Sequence, residues 1–375
     1  MKYYLIAGEA SGDLHGSNLV KELRRRDPGA ELRGWGGDLM QAAGVTLVKH
    51  YRDLAFMGFI EVLMNLRTIL RNLKFCKEDI RSFRPDVLVL IDYPGFNLRV
   101  AEWARAEGIP VVYYISPQVW AWKEGRVKKI REVVDRMLVI LPFEERWYRE
   151  RWSYKVEFVG HPLMQVVQEF VAGFTPEAEY LKPVIALLPG SRRQEVAVKL
   201  PVMLEAAKSF PDHQFVVARA GSLDDAFYDE LLRNHPGVLS VKNETYALLA
   251  QSAAALVTSG TATLETALFG VPQVVCYKGS NISYQIAKRL VKIKYISLVN
   301  LIMDKPVVTE LIQGECTAPN VVRELNALLH NEARRAQVKN DYYELKQLLQ
   351  QDGNASAKAA EAVLEVVRHK KPGGQ

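Results

Sequence analysis

A doubly wound α/β fold in two units is what the sequence predicts, and three observations predict it. Short apolar runs alternate with helix-like segments almost throughout, the pattern of parallel strands joined by crossover helices. The runs are aliphatic or β-branched on both faces, as strands covered by helices on both sides must be. At 375 residues the chain is long for one core and comfortable for two, since domains usually hold roughly 100–200 residues.

In order, the first half gives strands at Tyr3–Ala7, Val87–Ile91, Val111–Ile115, Met137–Leu141 and Val156–Val159. The first of these opens on a glycine-rich loop, and Gly160-His161-Pro162 closes the last. A polar, breaker-rich stretch, Thr175–Pro183, follows. The second half restarts at Val184–Leu188 with its own Gly-Ser loop, then Phe215–Ala218, Ala254–Val257 and Gln273–Tyr277. From Pro319 to about Val367 the pattern is helical, and such a terminal helix can pack back on either domain. The domains are therefore read as 1–165 and 166–350, facing across a cleft, with 351–375 a helix and a tail unfolded after about Arg368.

Hydrophobic content of 49% and charged content of 25% exclude bulk disorder. Cys76, Cys276 and Cys316 are odd in number, far apart and without C-x-x-C spacing, so reduced structural thiols in the cytosol are expected. Met1-Lys2 leads straight into a five-residue apolar strand, too short for a signal core, so no export is expected. No run reaches the ~20 apolar residues of a membrane span. A net charge of +6 and a pI near 9.0 invite nucleic acid or an anionic membrane surface, and composition alone does not choose.

Ligands in open α/β sheets bind outside the carboxyl ends of the strands, and four such ends draw attention. The first, Ala7-Gly8-Glu9-Ala10-Ser11-Gly12-Asp13, has strand, glycine loop and helix in sequence but is neither G-x-G-x-x-G nor a Walker loop. Its plain alternative is a turn with Asp13 or Ser11 capping a helix. The second, Ile91-Asp92-Tyr93-Pro94-Gly95-Phe96-Asn97, mounts a carboxylate rigidly at a buried strand tip, as a general base needs. An Asx-type turn explains it equally well.

The third, Leu188-Pro189-Gly190-Ser191-Arg192, suits a phosphate at a helix start with Arg192 adding charged donors. Ser191 and Gln194 also have capping-box spacing. The fourth is Thr258-Ser259-Gly260-Thr261 with Glu265 one turn on. Glu265 lies four residues after Thr261 rather than three, so it is expected to be free of a capping box and available to a ribose diol; an exposed helical glutamate is the bland reading. Phosphate cradle followed by carboxylate matches a nucleotide diphosphate, which points to a nucleotide sugar. The chain contains no Asp-x-Asp, so helix dipoles and Arg192 are expected to neutralise the leaving group. Neither a metal nor a cofactor is implied.

Together these stretches closely resemble the lipid-A-disaccharide synthase family, glycosyltransferases of the GT-B fold. The matching pieces include Gly8-Glu9-Ala10-Ser11-Gly12-Asp13, Met57-Gly58-Phe59-Ile60-Glu61-Val62, Ile91-Asp92 with Phe96-Asn97, and Ser116-Pro117-Gln118-Val119-Trp120-Ala121-Trp122. Leu141-Pro142-Phe143-Glu144, Gly160-His161-Pro162, Leu188–Arg192, Ser259–Ala262 with Leu264-Glu265, and Leu298-Val299-Asn300-Leu301 continue the match in order. The resemblance implies transfer from UDP-2,3-diacylglucosamine to 2,3-diacylglucosamine 1-phosphate, giving a β-1,6 disaccharide and UDP without a metal. Asp92 then corresponds to the proposed base, and Arg192, Glu265 and Asn300 to UDP-side residues. Glu9, Ser11 and Gly12 belong to the loop facing the reaction centre. Gly95 stands where many members carry a second acid, which leaves Asp92 the only carboxylate in its loop. His161 and Glu9 are the fallback bases.

The resemblance also explains the basic charge. In 54–82, Leu63, Leu66, Leu70 and Leu73 recur at helical spacing, with Arg67, Arg71 and Lys74 on a neighbouring stripe. A core-facing helix is the ordinary explanation. The functional one is a membrane-surface helix whose Phe56, Met57, Phe59 and Met64 meet acyl chains, with Lys288, Arg289, Lys292 and Lys294 as a second lipid contact. This implies a cytoplasmic protein, peripheral on an anionic inner-membrane face, and admits a homodimer exchanging carboxyl-terminal helices. Two rivals stand against it. A UDP-sugar 2-epimerase shares the fold and needs no acceptor. A nucleic-acid binder would use the aromatic and basic stretch Trp120–Arg131 but leaves both phosphate loops unexplained, so nucleic acid is not an expected partner.

Overall fold

The computed structural model describes residues 1–54, 66–176, 180–279, 293–350 and 353–370. It divides into two units, Met1–Pro162 with Leu349–Gln375, and Leu163–Leu348. In the first unit seven strands pair in parallel in the order β3-β2-β1-β4-β5-β6-β7. They are β1 (Lys2–Ala7), β2 (Glu31–Gly36), β3 (Thr46–His50), β4 (Val87–Ile91), β5 (Val111–Tyr114), β6 (Arg136–Val139) and β7 (Glu157–Phe158). The second unit orders its six parallel strands β10-β9-β8-β11-β12-β13. These are β8 (Val184–Leu188), β9 (Gln214–Arg219), β10 (Leu239–Lys242), β11 (Ser252–Thr258), β12 (Gln273–Tyr277) and β13 (Thr309–Ile312). Both units are thus Rossmann-like, and each sheet reverses its winding once, between β1 and β4 and between β8 and β11.

The central strands are buried on both faces and coincide with the apolar runs; every residue of β4 and of β8 is buried. Four strands were not anticipated. Of these, β3, β10 and β13 are edge strands whose residues are mostly half-exposed, so they carry no continuous apolar run. The fourth, β2, interleaves Arg33 with Gly34 and Gly36. β5 stops one residue early because Ile115 turns left-handed at φ 66°.

The Ala355–Lys370 helix returns to the first unit. Its Ala359, Ala360, Val363 and Val367 join one core cluster with Leu19, Val20 and Leu23 of the Ala10–Arg26 helix. The helix runs two residues past Arg368.

Asp13 does cap a helix, but not the one it lies on. Its buried carboxylate accepts the backbone N–H groups of Gly37 at 2.7 Å, Met40 at 3.0 Å and Leu39 at 3.1 Å, opening the Asp38–Ala42 helix. Asp13→Ala would orphan these donors and is expected to cost ~2–3 kcal/mol. Denaturant unfolding measures this, and a loss below ~0.5 kcal/mol would show that water replaces the carboxylate.

Candidate active site

Residues Ala7 and Ile91 pair at the ends of β1 and β4, so Glu9 and Asp92 emerge side by side at the first sheet's reversal. Asp92 and Tyr93 are both left-handed, at φ 47° and 49°, a conformation costing a non-glycine residue roughly 1–3 kcal/mol. Neighbours hold it there. The Asp92 carbonyl accepts Asn97 Nδ2 at 2.7 Å and the Tyr113 hydroxyl at 2.6 Å, while its N–H donates to the Tyr114 carbonyl at 3.0 Å. The Tyr93 ring lies over Gly8, where a Cβ would come within 2.3 Å of it. The two loops are therefore packed as one surface.

Burial pushes the Asp92 carboxyl up to about 6, the Glu9 charge adds to this, and the Tyr93 N–H opposes it. Glu9 and Ser11 are exposed and Gly12 is buried against Ala7. Glu9→Gln is therefore expected to lower the Asp92 pKa and move the acid limb of the rate profile to lower pH. An unmoved limb would separate the two carboxylates. His161, the fallback base, is driven down to about 3 by burial and by the neighbouring His15, itself lowered to about 4. Burial thus favours the neutral form of both imidazoles. Glu144, in the Pro142–Trp152 helix, is buried and pushed up to about 8, holding Trp120 Nε1 at 3.1 Å and the Leu141 N–H at 3.1 Å.

The second reversal brings together Gly190–Arg192 after β8 and Ser259–Thr261 after β11. Gly190 has φ 120°, and a Cβ there would meet the Glu195 carboxylate at 2.5 Å. The expected Ser191 capping box is not formed: Arg192 is the cap residue of the Arg193–Ala207 helix, with no side-chain cap bond. Exposed Arg192 pairs with Glu195 at 3.2 Å. The Thr261–Leu268 helix likewise starts at Gly260 with no side-chain cap. Both starts keep their leading N–H groups clear of a capping side chain, which suits an anion.

Three side chains behave differently from expectation. Glu265 is not free: Tyr246 donates to its Oε1 at 2.8 Å, and burial raises its pKa. Ser259 spends its hydroxyl on the Ile296 carbonyl at 2.8 Å. Buried Asn300 donates both amide hydrogens, to the Val308 carbonyl and Glu310 Oε1 at 2.9 Å each, and its oxygen accepts the Val308 N–H. Its side chain ties the loop around Ser297, which caps the Leu298–Met303 helix, to Val308 and Glu310. Sequence reasoning missed Lys199. It is buried, donates to Thr258 Oγ1 and lies 3.9 Å from Glu195, with burial lowering its pKa.

Phe56, Met57, Phe59 and Met64 lie outside the described residues, as do Lys288, Arg289 and Lys292. Lys294 is paired with Asp304 at 3.4 Å. The Leu66–Phe83 helix buries Asn72, Cys76 and Ile80; of the leucine stripe, Leu73 packs half-buried against the same core while Leu70 is exposed. Leu70 is 53% and Phe75 45% exposed beside exposed Arg67, Arg71 and Lys74. No helix among the described residues is long and apolar enough to cross a membrane.

A family model described as lipid-A-disaccharide synthetase matches residues 3–366. The chain is 43% identical to the lipid-A-disaccharide synthase of Syntrophus aciditrophicus (strain SB), over 97% of each chain. Among solved structures it is similar to the calicheamicin glycosyltransferase CalG4, with TM-score 0.64, 18% identity and 99% of each chain covered. It is also similar to the UDP-GlcNAc 2-epimerase of Neisseria meningitidis, with TM-score 0.61, 14% identity, and 99% of this chain and 100% of that one covered. The structural likeness shows the fold that the transferase and the epimerase share.

Proposed function

The chain belongs to the lipid-A-disaccharide synthetase family, and from that premise we propose that it condenses UDP-2,3-diacylglucosamine with 2,3-diacylglucosamine 1-phosphate. It is a glycosyltransferase of lipid A disaccharide formation; the substrates and the inverting course are the proposal. One observation supports it above others: each sheet carries loops suited to half of the reaction at its winding reversal. The first offers a strained, half-buried carboxylate with a raised pKa at Asp92. The second offers two helix starts with Arg192.

In this reading the acceptor 6-hydroxyl attacks the donor's anomeric carbon and its proton passes to Asp92. UDP leaves with its charge met by Arg192 and by the N–H groups at Gly190–Ser191 and Gly260–Thr261. Ser259 contributes backbone only, Asn300 positions its loop, and Glu265 with Tyr246 flanks the nucleoside side. Glu9, Ser11 and Gly12 border the acceptor. One displacement inverts the anomeric configuration, giving the β-1,6 linkage, and the positive groups named serve in place of a divalent metal.

The test supplies both diacyl sugars, with and without chelator, and follows UDP and disaccharide by mass spectrometry and the linkage by NMR. UDP release and disaccharide only when both sugars are present support the reading. Interconversion of the donor alone would favour the epimerase, and a retained α-linkage would exclude single displacement.

The exposed apolar and basic face of the Leu66–Phe83 helix supports peripheral binding to an anionic bilayer, proposed as the cytoplasmic face of the inner membrane. Leu70→Ser with Phe75→Ser should cost only modest stability, through the Phe75 ring's contact with Trp35, and reduce partitioning onto phosphatidylglycerol vesicles by about tenfold, at ~0.8 kcal/mol per buried methylene. Unchanged partitioning would assign the face another role.

A further inference from the structure

The stretch between Trp120 and Arg131 is left without a role by the proposed transfer, and its geometry is specific. The Val119–Trp122 helix follows the left-handed turn after β5, on the same edge of the first sheet as Asp92. Trp122 is 55% exposed, although it is among the largest apolar side chains. The Lys123 ammonium lies 4.0 Å from the centre of its ring and the Arg126 guanidinium 5.9 Å. Two cations therefore flank one indole. Neither forms an ion pair with a carboxylate among the described residues, whereas neighbouring Lys129 and Arg151 pair with Glu102 and Glu124. Burial, and then the charge of Arg126, lower the Lys123 pKa. Two cations gathered on one indole without a carboxylate partner among the described residues suit an anion.

The place of the cluster narrows the anion. Arg126 is near enough to the Tyr113 hydroxyl to act on it electrostatically, and that hydroxyl donates to the Asp92 carbonyl at 2.6 Å. A group bound at Lys123 and Arg126 is thus held close to the proposed base. In a glucosamine 1-phosphate acceptor the phosphate on C1 and the 6-hydroxyl carried by C5 flank the same ring oxygen, so a held phosphate keeps the attacking hydroxyl nearby. Fixing the phosphate on this cluster leaves the ring to reach toward Asp92, with an exposed indole to stack on.

We propose that Trp122, Lys123 and Arg126 form the subsite for the acceptor's phosphate, the two cations taking the anion and the indole lying against the sugar. The assignment rests on the transferase reading for the identity of the acceptor, not for the existence of an anion site. An anionic phospholipid headgroup offers similar chemistry, so the experiment separates the two sources.

Transfer in detergent micelles would be compared for 2,3-diacylglucosamine 1-phosphate and the same lipid without phosphate, using wild type, Lys123→Ala/Arg126→Ala and Arg126→Lys. The double variant should raise KM for the phosphorylated acceptor by at least about tenfold. KM for the neutral acceptor and affinity for UDP should not change, and Arg126→Lys should keep most of the wild-type preference. An equal rise on both acceptors, or no rise, overturns the subsite. So does loss of binding to phosphatidylglycerol vesicles with unchanged KM in micelles, which would give the cations to the membrane. If wild type transfers to neither acceptor, the transferase reading fails separately. Calorimetry with glucosamine 1-phosphate against glucosamine then decides the subsite: preferential binding lost in the double variant upholds it, and equal affinities reject it.

Discussion

Asp92→Asn is expected to lower turnover by about 10²–10⁴-fold, the usual contribution of a general base, while leaving UDP affinity unchanged. The same variant should be more stable than wild type. Burial and Glu9 raise the folded carboxyl to about 6, above the ~3.9 of an unfolded aspartate. A raised carboxylate pKa means that ionisation opposes folding. The penalty therefore grows as pH rises from about 4 through 6 and is fully present above that, on the order of 1–3 kcal/mol. Asparagine removes the charge and tolerates the left-handed backbone at φ 47°. Wild-type kcat/KM should fall as pH drops through about 6, and the residual activity of the variant should be flat there. A thermal melt, a pH profile and UDP calorimetry together check the assignment. Near-normal turnover would move the base elsewhere, and lost turnover with lost stability would make Asp92 a structural residue.

The first sheet's site was legible where chemistry coincides with chain order. Asp92 was visible because an apolar strand runs into a carboxylate and a proline-glycine turn. What holds it was not visible. Asn97 stands in the same stretch, but its bond to the Asp92 carbonyl depends on two successive left-handed residues. Tyr113 reads as one more strand residue although its hydroxyl ends at Asp92. In the second sheet, Gly190 and Gly260 mark strand-to-helix loops, as the helices that follow them show, yet the partners of the polar groups lie far away in sequence. Tyr246 is 19 residues from Glu265, and Lys199 is 59 from Thr258. A lysine in a helix ordinarily belongs to a solvated face, so nothing local announces that this one is buried. The edge strands escaped for a related reason: exposure on one face erases the apolar run that marks their neighbours.

Arg192→Ala carries the second large effect, and it should divide from the first in kind. Arg192 stands at the start of the Arg193–Ala207 helix, two residues after Gly190, whose φ of 120° L side chains rarely adopt. It pairs with Glu195 at 3.2 Å, a carboxylate that also stands 3.9 Å from buried Lys199. Glu195 thus keeps a partner when Arg192 turns to a diphosphate, so recruiting the guanidinium does not strand a carboxylate without a counter-charge. Exposed as it is, the Arg192–Glu195 pair is of surface grade, worth ~0–1 kcal/mol. A charge-assisted contact to phosphate is worth roughly 1.5–3 kcal/mol. UDP affinity and kcat/KM should therefore fall together by about 10–10²-fold in Arg192→Ala. Arg192→Lys should recover only part, because an ammonium is a point charge without the planar fork. Calorimetry with UDP and steady-state kinetics read both quantities. Unchanged UDP binding in Arg192→Ala would remove the arginine from the donor site, and lost turnover with intact UDP binding would place it with the chemistry instead.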